Sequence, residues 1–140
     1  MGYRYLEHTA DVMIEARGAS IGEAFSFGAE AMFNVMLDPS KVDQKMSVKI
    51  EVSAEDIEAL LYSWLEELLF RFSVDRIAFS AFRFHLVKVG GGLKGMGEAR
   101  GETYDPKKHG RKTEVKAITY AEMQITEDRD GSRIRFVLDI

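Results

Sequence analysis

The chain has 140 residues, no cysteine and a formal net charge of −4, with 46% hydrophobic and 30% charged residues. That length fits one domain with a packed core, and the lack of thiols excludes disulfides, thiolate zinc sites, iron–sulfur clusters and a cysteine nucleophile, as suits a reducing compartment. The negative balance argues against a general binder of nucleic-acid phosphates; with no apolar run near the roughly 20 residues that span a bilayer and no signal-peptide core, a soluble, cytoplasmic protein without membrane contact is expected.

Residues 3–7 and 12–17 read as short strands either side of His8-Thr9-Ala10-Asp11. Ser20 with Glu23 three residues on forms a capping box, in which each side chain satisfies a backbone N–H at a helix start. Ile21, Ala24, Phe25, Gly28, Ala31, Met32, Val35 and Met36 then recur at helical spacing until Asp38-Pro39. Met46, Val48, Ile50 and Val52 alternate with Ser47, Lys49 and Glu51, the period of a half-buried strand. Ser53 with Asp56 resembles a second capping signal. After it, Ile57, Leu60, Leu61, Trp64, Leu65, Leu68, Leu69 and Phe72 make the clearest apolar stripe, with Glu58, Glu66 and Glu67 off it.

From Ile77 the pattern turns to strands. Phe82, Phe84 and Leu86 alternate with Arg83, His85 and Val87 up to Gly90-Gly91-Gly92. The next strand carries Gly95, Gly97, Ala99 and Gly101 on one face. Glycine weakens a strand, so something bulky is expected to pack there, and the helix bearing Trp64 is predicted to supply it. Residues 104–112 read as a polar loop, and residues 115–126 and 132–138 as a hairpin across Asp130-Gly131. The order predicts one α+β domain over residues 1–140, with two main helices packed on one side of a largely antiparallel sheet.

Three constellations can carry chemistry. In Glu7-His8-Thr9-Ala10-Asp11 a carboxylate and an imidazole three residues apart can converge on a metal; equally, His8 can bond the turn and Asp11 cap a backbone N–H. At the other end, Asp139 and Ile140 continue an alternating strand, so the sheet can hold a tail that would otherwise fray. A held tail sets the Asp139 carboxylate beside the α-carboxylate of Ile140, two anions that repel unless a cation or basic partner offsets them. Such oxygens suit Ca²⁺, Mg²⁺ or Mn²⁺. The third constellation is the only concentrated basic stretch, Lys107, Lys108, His109, Arg111, Lys112 and on to Lys116, which can meet nucleotide phosphates, RNA or an acidic partner, or form a solvated loop. The three-glycine turn lacks the Lys-Ser/Thr and following helix of a phosphate-binding loop, His85 alternates with core phenylalanines, and no serine has a His/Asp pair at recognisable spacing.

Glu7-His8-Thr9-Ala10-Asp11, the second helix with Glu58-Ala59-Leu60-Leu61-Tyr62 and Leu65-Glu66-Glu67-Leu68, Lys107-Lys108-His109, Val115-Lys116-Ala117-Ile118-Thr119-Tyr120 and the ending Asp139-Ile140 together resemble the archease family, in order and over essentially the whole chain. The resemblance implies a heat-shock chaperone-like α+β fold. It implies a divalent ion (Ca²⁺, Mg²⁺ or Mn²⁺) held by Asp11, Asp139 and the terminal carboxylate of Ile140, with His8 a further candidate contributor. It implies a protein that is not itself an enzyme but activates the GTP-dependent RNA ligase that seals tRNA halves, promoting transfer of GMP onto that ligase's histidine and repeated turnover. Lys107, Lys108, His109, Arg111 and Lys116 are the expected partner contacts, and tRNA or an RNA methyltransferase are further candidate partners. Val12-Met13 after the aspartate and Gly110-Arg111 in the basic segment depart from the family pattern without touching the carboxylates. Two rivals remain: a chaperone-like partner of an RNA-modifying enzyme such as a tRNA methyltransferase, and a small metal-dependent hydrolase using His8, Asp11 and Asp139.

Overall fold

The computed structural model describes residues 1–7 and 10–140. In chain order they form β1 (Gly2–Leu6), β2 (Asp11–Gly18), α1 (Ile21–Met36), β3 (Met46–Ala54), α2 (Ile57–Ser73), β4 (Ile77–Val89), β5 (Gly92–Thr103), the short α3 (Pro106–His109), β6 (Ala117–Asp128) and β7 (Gly131–Asp139). The class is α+β, as expected. The strands divide, however, into two antiparallel sheets, ordered β1-β2-β7-β6 and β3-β5-β4, where the sequence pattern suggested one. The division follows from local pairing: β1–β2, β4–β5 and β6–β7 are neighbours in sequence, and β2–β7 and β3–β5 are the two pairings that extend them. Both helices contact strands of both sheets, so side chains rather than strand pairing join the two halves.

The helix starts are set by their caps. Ser20 Oγ accepts from the Glu23 N–H (3.1 Å) and Glu23 Oε1 accepts from the Ala19 N–H (3.0 Å), a capping box whose return bond lands one residue early. Asp56, not Ser53, caps α2, its carboxylate accepting from the Ala59 N–H at 2.8 Å; Ser53 is spent in β3, whose pairing with β5 runs through to Ala54. The helices meet at Trp64, which is fully buried. Its indole N–H donates to the Phe25 carbonyl (3.1 Å), and its ring packs on Phe84 with centroids 4.9 Å apart. Below it lies the glycine face. A Cβ on Gly97 would come 2.3 Å from Trp64 Cζ3, and one on Gly95 2.2 Å from the Phe84 ring. Trp64 accounts for Gly97 as expected, whereas Gly95 is small because of Phe84 on the neighbouring strand and Gly101 because of the Ala78 backbone.

The stretch expected to be a polar loop is packed instead. Tyr104 and His109 are buried with rings stacked 5.9 Å apart, and Asp105 caps α3 through the Lys107 N–H (3.0 Å). Glu102, near the end of β5, gathers this segment: its carboxylate accepts from Lys108 Nζ (2.7 Å), the Asp43 N–H (2.8 Å) and His109 Nε2 (2.9 Å). Because His109 Nδ1 accepts from the Asp105 N–H (3.0 Å), the ring proton sits on Nε2 and points at that carboxylate. The Lys108 ammonium first, then the Asp43 N–H and the imidazole, hold the Glu102 carboxyl far below the ordinary carboxylate range. Beyond α3 the chain crosses the end of α1, where the Lys112 and Thr113 N–H groups donate to the Met36 (2.9 Å) and Val35 (3.1 Å) carbonyls that the helix itself leaves unpaired.

Two outcomes follow. Gly97→Ala drives a methyl into an indole that has no room to move, so urea denaturation is expected to show a loss of about 1–3 kcal/mol. Glu102 titrates lower in the folded than in the unfolded chain, so its contribution is complete above the unfolded value of about 4.3 and lost as pH falls below it. Glu102→Gln is therefore expected to lower Tm at neutral pH and to flatten its fall on acidification below about pH 4.3; identical acid limbs in parent and variant would contradict this account.

Candidate metal centre

Asp11 opens β2 and Asp139 closes β7, and the antiparallel register sets them directly opposite each other. Opposed residues project from the same face of a sheet with Cβ atoms about 4.5–5.5 Å apart. The chain end is held. β7 lies between β2 and β6, the Lys116 N–H donates to the Asp139 carbonyl at 2.7 Å, and Ile140 is partly buried against the core. Ala117 is Asp139's partner on the other side. Ala10, just before Asp11, adopts a left-handed backbone (φ 64°) that turns the chain into β2.

Two carboxylates facing each other across a strand pair repel, and a cation between them removes the repulsion. An all-oxygen, anionic donor set fits a hard divalent ion, with Asp11, Asp139 and the Ile140 carboxylate as the groups that would hold it. Among the described residues no three side chains of His, Cys, Asp or Glu gather at metal-binding distance. His8, the further candidate, lies outside the described residues.

The basic segment is distributed differently from its sequence. His109, expected at a partner surface, is fully buried and locked between Asp105 and Glu102, so it shapes the segment from inside. Lys108 is drawn to Asp43 (2.8 Å) and Glu102 (2.7 Å). Lys112 Nζ bonds the Asn34 carbonyl (2.9 Å), placing a cation at the C-terminal end of α1, where the helix dipole favours one. Lys107, Arg111 and Lys116 stay exposed. Arg111 borders a cleft of about 460 Å³ shared with Arg76, Phe72 and Tyr104. No local pattern pointed to Glu102, since its importance comes from a strand end brought against Asp43 and α3.

Residues 3–140 match the profile of the Archease protein family. The chain is 43% identical over 138 residues to protein archease of Sulfolobus acidocaldarius, covering 99% of this chain and 98% of that one. It is 42% identical over 129 residues to protein archease of Pyrococcus furiosus, covering 92% and 91%. The solution structure of Methanobacterium thermoautotrophicum protein 1598 superposes with a TM-score of 0.88 at 37% identity over 99% of both chains. With the match running from the first strand to the carboxylates at the chain end, this chain belongs to the archease family.

Proposed function

We propose that this protein is a metal-binding activator of the GTP-dependent RNA ligase that seals tRNA halves, acting in the cytoplasm and catalysing no reaction itself. The observation that carries the metal part is the register that sets Asp11 against Asp139 beside the chain end. The ligase is proposed as partner because of the resemblance to the archease family, to which the chain belongs. No helix among the described residues is long and apolar enough to cross a membrane, which accords with that setting.

In this proposal the acidic strand end docks at the ligase's nucleotide pocket. A divalent ion bound there would offset charge on the triphosphate as GMP passes to the ligase histidine. The chain's own work is positional. Pairing on both sides of β7 fixes the Asp139 backbone, the Ile140 side chain anchors the end to the core, and the register sets the two aspartates opposite each other. A rigid strand end is a better platform for such a site than a loop, because its oxygens need no ordering on binding.

A chaperone-like role towards an RNA-modifying enzyme such as a tRNA methyltransferase is the second reading, and the exposure of Lys107, Arg111 and Lys116 favours it. The two separate cleanly. Single-turnover GMP transfer onto purified ligase is expected to lose its stimulation with Asp139→Ala or a C-terminal tag, and to keep it with Lys107→Ala/Arg111→Ala; the reverse pattern supports the second reading and rejects the first.

Metal removal gives a readout independent of the ligase. Mn²⁺, Mg²⁺ or Ca²⁺ is expected to raise Tm of the parent, and the shift is expected to vanish in Asp139→Asn. In chelator that variant should be more stable than the parent by about 0.2–1 kcal/mol, since the opposed like charges are gone. A metal-induced Tm shift that survives in Asp139→Asn places the ion elsewhere.

A further inference from the structure

The densest group of cations is not in the basic segment. On the face of β2 and β7 turned away from the core, Glu15 lies opposite Arg135 on one side and Arg4 on the other, and Arg17 lies opposite Arg133. The Glu15 side chain is buried, and four guanidiniums surround it: Arg4 Nε at 2.6 Å, Arg133 at 3.3 Å, Arg135 at 3.5 Å and Arg17 at 3.9 Å. Burial alone would raise the Glu15 carboxyl, but the Arg4 contact and its neighbours hold it below the ordinary range, so it stays an anion. One carboxylate against four arginines leaves three positive charges (4 − 1) uncompensated within the cluster of a protein whose net charge is −4.

Three observations say what such a cluster takes. The Arg4 and Arg17 side chains remain 65% and 59% exposed, so their guanidinium forks reach solvent despite the contact with Glu15. Arg135 Nε is the only buried side-chain nitrogen or oxygen without a hydrogen-bond partner among the described residues, a donor left unused within the cluster. The face around it is polar: Gln124 and Thr126 of β6 stand opposite Arg135 and Arg133, while Met13 and Val137 on the same face are buried. A protein partner would look for an exposed apolar centre with a polar rim. This face offers the reverse, donors in the middle, with the exposed Met1 only at its edge beside Arg17 and Arg133.

Acidic groups bound the cluster along the strands. Asp128 and Asp130 share a cleft with Arg17 and Arg133 at the β6–β7 turn, and Asp11 and Asp139 mark the other end. The positive track therefore runs across the strands, from β1 over β2 to β7, about 10 Å at roughly 4.8 Å per strand. Planar guanidiniums match the paired oxygens of a phosphodiester.

The geometry points to this sheet face as a binding surface for the phosphodiester backbone of a single RNA strand, with Arg4, Arg17, Arg133 and Arg135 as phosphate contacts and Glu15 as the anion that holds them in one plane. The choice of RNA among polyanions rests on the proposed ligase partnership; the cationic surface does not. Contacts are to the backbone, so affinity is largely independent of sequence and falls with salt.

The test uses the full chain and a short labelled single-stranded RNA without ligase, titrated at several salt concentrations. The parent is expected to bind with a salt slope that shrinks by about 1.4 in Arg4→Gln/Arg17→Gln, 0.7 for each lost phosphate contact, and affinity at low salt is expected to fall at least about tenfold. Both substituted side chains are largely solvated, and Arg133→Gln serves as a second variant should the double variant fold poorly. GMP transfer onto the ligase, measured without RNA, is expected to be unchanged in all of them, which separates this surface from the carboxylate end. Absence of salt-dependent RNA binding in the parent, unchanged binding in both variants, or loss of GMP transfer with RNA binding intact each overturns the proposal; the last would make the face a docking site for an acidic protein surface.

Discussion

The pairing of β2 with β7 is the constraint on which the rest of the molecule depends. Eight consecutive cross-strand pairs, from Asp11–Asp139 to Gly18–Ser132, join the start of the chain to its end. Because side chains alternate with a period of two, this one register decides four things together. It puts Asp11 against Asp139, Glu15 against Arg135 and Arg17 against Arg133, and it turns Ile14, Ala16, Ile134, Phe136 and Leu138 to the other side. A slip of one residue would exchange the two faces of a strand completely. The charged residues do not set that register alone, since the Glu15–Arg135 pair favours it while the opposed aspartates and the Arg17–Arg133 pair disfavour it.

The apolar side sets it. Ile14, Ala16, Ile134, Phe136 and Leu138 are fully buried, and α1 lies on this sheet closely enough that a Cβ on Gly28 would meet Ile134 at 2.9 Å and Phe136 at 3.1 Å. Exposing one large apolar side chain costs about 1.5–3 kcal/mol. Several would be exposed in a slipped strand, against the roughly 0.2–1 kcal/mol that an opposed like-charge pair can return. The core therefore imposes the charge pattern on the outer face. Trp64 plays the same part for the second sheet, where its indole requires the glycine face of β5 and ties α2 to α1 through the Phe25 carbonyl.

Features that repeat over short distances were legible in the sequence. The two helices, the Ser20 capping box, the alternation of β3 and the glycine face under Trp64 are all local patterns with a mechanical cause, and each appears where its pattern put it. What depended on distant pairing was not. The split into two sheets and the register shift in β6 between Thr119 and Gln124, with Glu122 at φ 52°, leave no periodic signature. Composition misled in the 104–112 segment: Lys and His side by side look solvated until an acid from another strand, Glu102, draws them in. That Asp139 is held in a strand was legible because it continues an alternating pattern; that Asp11 belongs with it came from the resemblance to the archease family, not from spacing. The arginines were not, because residues 4, 17, 133 and 135 become neighbours only once β1, β2 and β7 are laid side by side.

The acidic and basic groups share one face, and their separation decides whether they act as one site or two. Four residues along β7 separate Arg135 from Asp139, about 14 Å at roughly 3.4 Å per residue. The screening length is about 8 Å at physiological ionic strength. A cation at the strand end and a polyanion across the arginines would therefore scarcely feel each other's charge through solvent, so each can be filled or emptied without evicting the other. Distance along a rigid strand keeps the two chemistries apart: Glu15 is given up to organise the cations, while Asp11 and Asp139 stand beyond them at the sheet's end.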